Sequence, residues 1–205
     1  MTKTLRLLAL TSVAALSLST AAFAQASKDP AGVQAGTYAL ETSHARVVFS
    51  LSHMGFSTWY GDFSGATGTL VLDPKALANA KLDVSIPVAS VTTTNAKVDE
   101  ELKSAAWFDA AKYPTITFRS TQVAVTSPTT AKVTGDLSFH GVTKPTTLDV
   151  TFKAVGTNPL SKKVTIGFDA TTAIKRSDFG QKTYVPMIGD DVSLQISAPF
   201  EKKAD

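Results

Sequence analysis

The sequence predicts an all-β fold: an eight-stranded antiparallel β-barrel with one short helical insert. Three observations carry this. Apolar and polar residues alternate with a period of two through most of the chain, the signature of antiparallel strands with one wet face. Turn-rich stretches such as Asp73-Pro74 and Thr157-Asn158-Pro159 separate the alternating segments. The inward parity is rich in Phe, Ile, Leu and Val and nearly free of charge.

The chain begins with an address. Lys3 and Arg6 form a positive n-region, Leu7 to about Leu18 an apolar h-region, and Ala22-Phe23-Ala24 a small-x-small cleavage site. Polar interruptions at Thr11, Ser12, Ser17, Ser19 and Thr20 leave the stretch too short for a comfortable membrane span. Residues 1–24 are therefore expected to be a cleaved signal peptide, with cleavage after Ala24 and, as second choice, after Ala26. Small, polar and Pro/Gly-punctuated residues 25–36 read as a flexible arm, and residues 37–202 as a single domain.

Within that domain Val47, Phe49 and Leu51 alternate with Arg46, Ser50 and Ser52, and Leu82, Val84, Ile86 and Val88 with Lys81, Asp83 and Ser85. The same pattern recurs at Ile116/Phe118, Val133/Leu137/Phe139, Leu148/Val150/Phe152, Val164/Ile166/Phe168 and Val192/Leu194/Ile196, seven segments of the at least eight expected in the chain. Asn95 is placed to cap a short helix over Ala96–Leu102, with Asp99, Glu100 and Glu101 early in it. A second helical turn is expected over Ser104–Ala111, ended by Tyr113-Pro114. Such chains close as barrels or pack as sandwiches, and an eight-strand barrel either fills with side chains or holds one small ligand. Aromatics with interspersed Gly65, Thr67, Thr69 and Gly135 favour a cavity.

Charge and cysteine exclude several functions. Of 20 basic residues, Lys3 and Arg6 leave with the leader, so 18 face 17 acids, for a net +1. The lysines are scattered, with no stripe for nucleic acid. Absence of cysteine removes disulfides, thiolate metal sites, a cysteine nucleophile and an acylated anchor.

Chemistry-bearing motifs are sparse. His44 and His53 fall on opposite faces of an unbroken strand, and with His140 they are not expected to form a metal site. Ser43-His44 would point apart on a strand, and no Gly-x-Ser-x-Gly elbow occurs. Asp178-Phe179-Gly180 spells the kinase magnesium motif without its glycine-rich and catalytic loops. Neither a Rossmann nor a P-loop fingerprint is present, so no cofactor is expected. The aromatic set remains, and each member could equally be ordinary core. Met54, Phe56, Trp107 and Phe108 stand apart by falling in turn or short-helix segments, where apolar side chains plug a barrel or line its entrance.

A family pattern runs through these pieces. His44…His53-Met54-Gly55-Phe56, Gly61-Asp62-Phe63-Ser64-Gly65, Trp107-Phe108-Asp109, Gly135-Asp136-Leu137-Ser138-Phe139-His140-Gly141-Val142-Thr143-Lys144-Pro145 and Arg176-Ser177-Asp178-Phe179-Gly180 resemble the YceI-like family of periplasmic proteins, from about Tyr38 to Phe200. The resemblance implies a lipocalin-like, extended barrel holding a long isoprenoid such as a polyprenyl lipid or isoprenoid quinone, with no established enzymatic activity. On that reading, tail packing is assigned to Phe49, Leu51, Phe118, Phe139 and Phe168, a lid or mouth to Met54, Phe56, Trp107 and Phe108, and a head-group contact to Arg176, with an exposed Arg176–Asp178 pair as its alternative. His53 and Phe63 complete the candidate set. Ala45, Val98 and Glu101 depart from the family pattern, the last two changing the charge beside the expected mouth. The expected function is a periplasmic lipid carrier, open to transient membrane contact and to pairing as a homodimer. The alternative is a stress-response or partner-binding barrel with a filled core.

Overall fold

A computed structural model describes residues 26–204; the expected leader lies outside the described residues. The alternating segments become strands β1 (Gly36–Leu40), β2 (Arg46–His53), β3 (Ser57–Phe63), β4 (Thr67–Leu72), β5 (Lys81–Pro87), β6 (Thr115–Ser127), β7 (Thr130–Phe139), β8 (Val142–Thr157), β9 (Val164–Lys175) and β10 (Asp191–Lys202). A single helix, α1 (Ala96–Lys103), lies between β5 and β6.

Ten segments make an eight-strand ring. β1 pairs with the end of β10 at Leu40↔Phe200, and β2 continues along β10 from Ser197↔Arg46 to Ser193↔Ser50. β1 and β2 are thus halves of one bent strand. β4 pairs with β1 and β3 with β2, so β3 and β4 form a second bent strand. The first bend turns where the Glu41 amide donates to Pro199 and Ala45, 2% exposed, tucks inward. The second turns at Gly65, whose φ of +66° suits a residue without a Cβ. The remaining strands follow as an antiparallel meander, and the β1–β10 pairing closes the barrel.

Register assigns the connections to two ends. The β2–β3 turn, the 88–114 insert holding α1, the β7–β8 turn and the 176–190 loop share one end. The start of β1 and the β4–β5, β6–β7 and β8–β9 connections share the other. Helix α1 is capped as expected: Asn95 Oδ1 accepts from the amides of Lys97 at 3.1 Å and Val98 at 3.4 Å. Residues 104–111, expected as a helical turn, form linked turns instead. Ser104 is extended (ψ 165°) and ends the helix, and the Phe108 amide reaches back to Leu102 at 2.9 Å.

Residues 26–33 of the expected arm lie along β8. β7 stops opposite Thr151, which leaves the outer end of β8 unpaired on that side, and Ser27 fills it by exchanging two 2.8 Å backbone bonds with Val155. The chain then crosses the barrel end through the Pro30–Gly32 turn, capped by Asp29.

Candidate functional site

Inside the ring is a cavity of about 580 Å³ whose wall is almost wholly apolar. That is within the range of small-molecule sites. A second space of about 320 Å³ opens at the helix end and shares Phe49, Leu51, Leu102 and Trp107 with the first.

Backbone geometry hollows the wall. A Cβ on Gly135 would stand 2.5 Å from Phe118 Cζ, so the Phe118 ring lies flat across β7 where a side chain is missing. Gly61 makes the same room for the Phe49 ring. At the helix end the aromatics form a contact relay: Phe49–Phe63 at 5.6 Å, Phe63–Phe108 at 5.9 Å, Phe108–Phe139 at 5.4 Å and Phe139–Phe179 at 5.8 Å between centroids. Phe152, Phe168 and Phe200 meet edge to face towards the other end.

The structure gathers most of the candidate residues. Phe49, Leu51, Phe63, Trp107, Phe108, Phe118, Phe139, Phe168 and Arg176 line the main cavity, and His53 and Met54 the second. Phe56 lines neither. The turn through Met54 (φ 54°) and Gly55 (φ 73°) carries it outward to 93% exposure, because strand parity does not continue around a hairpin tip. Of the positions that depart from the family pattern, Ala45 lines the main cavity and Val98 and Glu101 the second. Glu101 accepts from the Trp107 indole at 3.2 Å.

Arg176 is not an exposed partner of Asp178. It is 6% exposed and donates to the carbonyls of Gly189, Gln181, Thr183 and Ile188 at 2.8–3.0 Å. Its guanidinium also lies 5.7 Å from the Trp107 ring centroid. Burial pushes its pKa down, partly opposed by Asp190, which bonds the Ser177 amide and hydroxyl at 2.8 Å. Its first task is to hold the 176–190 loop over the barrel end.

Ser43 and His44 meet after all, since they sit in a turn and not on a strand. Ser43 Oγ lies 3.1 Å from His44 Nδ1, and both bond the Glu41 carboxylate. Serine and acid crowd the same ring nitrogen, whereas a catalytic triad places them on opposite ones. His53 meets Trp59 edge to face, and His140 Nδ1 faces the Phe179 carbonyl at 3.2 Å. Among the described residues, no three or more His, Cys, Asp or Glu side chains gather to hold a metal.

Several wall residues were not among the candidate site residues. Leu82, Val84 and Ile86 carried an adequate signal, the inward parity of β5. Pro30, Ala31 and Val33 had none, since nothing local places an arm across a barrel end.

Residues 38–200 match the YceI-like domain. The chain belongs to the YceI-like family. Protein YceI of Escherichia coli O157:H7 is 40% identical over 157 residues, covering 77% of this chain and 81% of the relative. Among solved structures, this YceI-like chain is similar to Burkholderia cenocepacia BcnA at a TM-score of 0.71 and 25% identity, over 78% of this chain and 98% of that one. A domain of Saccharophagus degradans described as polyisoprenoid binding shares the fold at a TM-score of 0.60 and 16% identity, over 81% and 98%.

Proposed function

We propose that this protein is a periplasmic carrier of a long-chain isoprenoid lipid, a binding protein and not an enzyme, with the chain held inside the barrel. The observation that carries the reading is the apolar cavity of about 580 Å³. A barrel filled by its own side chains would lack that space. The polyisoprenoid-binding description of the Saccharophagus degradans neighbour supports the same class of cargo.

The driving force is transfer of an insoluble chain from water into a preformed dry space. At about 0.8 kcal/mol per buried methylene, a chain of about twenty carbons gains about 16 kcal/mol. An association cost of about 8 kcal/mol leaves micromolar affinity. The periplasmic address rests on Lys3, Arg6, the apolar run after them and Ala22-Phe23-Ala24. N-terminal sequencing of protein from its native cells should begin at Gln25 or Ser27; an intact Met1 would remove the address.

Native mass spectrometry of the purified protein tests the carrier reading. The expected result is an added lipid mass that organic extraction removes. A clean apo mass at full yield would refute it.

A further inference from the structure

Among the described residues nine large apolar side chains face water, and five of them share one place. Met54 and Phe56 top the β2–β3 hairpin, and Tyr184, Val185 and Met187 top the 176–190 loop beside it, each 37–93% exposed. Two backbone bonds fix these loops side by side: the Met54 amide donates to Met187 at 2.7 Å, and the Gly189 amide to Ser52 at 2.8 Å. The other four, Tyr60, Val71, Val125 and Leu160, fall on β3, β4, β6 and the β8–β9 connection. Scattered apolar residues are ordinary on a surface, whereas a cluster marks a contact.

At two positions this tip goes against what its backbone favours. Both central residues of the turn from His53 to Phe56 have positive φ, Met54 at 54° and Gly55 at 73°, and a 3.1 Å bond closes it. Asn-Gly or Asp-Gly makes such a turn most easily. Tyr184 has a φ of 58°, where a bulky residue is an outlier. Each loop thus exposes a large apolar side chain where a small polar one would cost less. Met54, Tyr184 and Met187 also line the second space, which shares Phe49, Leu51, Leu102 and Trp107 with the main cavity. The tip is the outer rim of the apolar interior.

We infer that this tip docks on a lipid bilayer, from which the cargo is taken up and to which it is returned. The inference rests on the carrier reading and adds the surface through which the load is exchanged. Area and charge favour a bilayer over a protein partner. An aromatic side chain covers about 150–250 Å² when fully buried, so five partly exposed side chains offer about 600 Å². That is short of the about 800 Å² per partner in a stable complex. A bilayer needs no matching face, since each apolar side chain that enters it gains separately. Tyr184 adds an aromatic ring of the kind that settles at the membrane–water boundary. Residues 53–57 and 181–189 contain no carboxylate, and Lys182 among them is exposed, a cation suited to anionic lipid. Passage through water would forfeit the transfer energy that drives binding, so direct contact keeps the cargo covered throughout.

The test pairs flotation of delipidated protein on mixed phosphatidylethanolamine–phosphatidylglycerol vesicles with the rate at which loaded protein passes a fluorescent prenyl analogue to them. Wild type should float with the vesicles, and its transfer rate should rise in proportion to vesicle concentration. Phe56 and Val185 line neither space, so Phe56→Ser and Val185→Ser should bind the analogue like wild type in vesicle-free titration. Phe56→Ser should lower vesicle affinity and transfer rate about tenfold, and Val185→Ser by less. No flotation, with a transfer rate indifferent to vesicle concentration, overturns the docking surface and leaves the carrier reading standing. So does an unaltered Phe56→Ser. Flotation without binding of the analogue keeps the docking surface and retires the carrier reading. A wild-type dimer in light scattering that Phe56→Ser dissociates, with vesicle binding unmoved, gives the tip to a second copy and overturns the proposal.

Discussion

Gly135 and Gly61 stand opposite two rings that shape the same cavity, yet adding a methyl group should do different things at each. At Gly135 the new Cβ meets the Arg119 backbone carbonyl at 2.5 Å as well as the Phe118 ring, and a paired strand cannot yield. Gly135→Ala should cost about 1–3 kcal/mol in denaturant melts of empty protein. At Gly61 the Cβ meets only the Phe49 ring, which has the cavity beside it to move into. Gly61→Ala should keep most of the stability and weaken binding of a fluorescent prenyl analogue. Equal loss of stability in both would show that the Phe49 ring has no free space behind it. Neither effect was legible in the sequence, where Gly135 counted only, with Gly65, Thr67 and Thr69, as a sign of a cavity. Phe118, Phe139 and Phe168 were legible, because alternation alone turns them inward. Gln181 was not, since it lies in a loop whose shape is set by the Arg176 guanidinium bonding the carbonyls of Gln181, Thr183, Ile188 and Gly189.

At the scale of elements, what could be read was what is local. The Asn95 cap and the acidic first turn mark where α1 begins from local residues alone. The break between β1 and β2 was invisible, because it answers to barrel closure against β10, whereas the one between β3 and β4 turns at Gly65. The 176–190 loop depends most on one side chain. Arg176→Lys keeps the charge but replaces a planar fork reaching four carbonyls with a point donor. It should cost about 3–5 kcal/mol, because buried carbonyls lose their donors. Hydrogen exchange should localise the loss to 176–190, and uniform loosening of the barrel would contradict the assignment.

For the whole molecule, the fold class followed from alternation, while the empty interior did not, since inward parity is the same whether side chains or a ligand fill the ring. Acid provides a global check. Glu41 and Asp190 are raised by burial but held lower overall by bonds from Ser43 and His44 and from Ser177. Asp99 and Glu201 are lowered first by the Thr93 and Ser161 hydroxyls. Each depressed carboxylate contributes stability that is fully present above its ordinary value near 4 and lost as pH falls through its lowered one. Melting temperature should hold between about pH 7 and 5 and fall below about 4. A loss already complete by about pH 5.5 would place the control with histidine instead.

The claim on which the rest depends is that the barrel is a container. Titration of delipidated protein with a fluorescent prenyl analogue tests it most directly, with Phe168→Ala beside wild type. Wild type should show one saturable site per barrel. Phe168→Ala should weaken that site while costing the empty protein well under the about 3–5 kcal/mol of a packed phenylalanine, because the space it vacates joins a cavity already present. No saturable binding by wild type, with the full stability loss in the variant, would mean that the interior is core and the carrier reading is wrong.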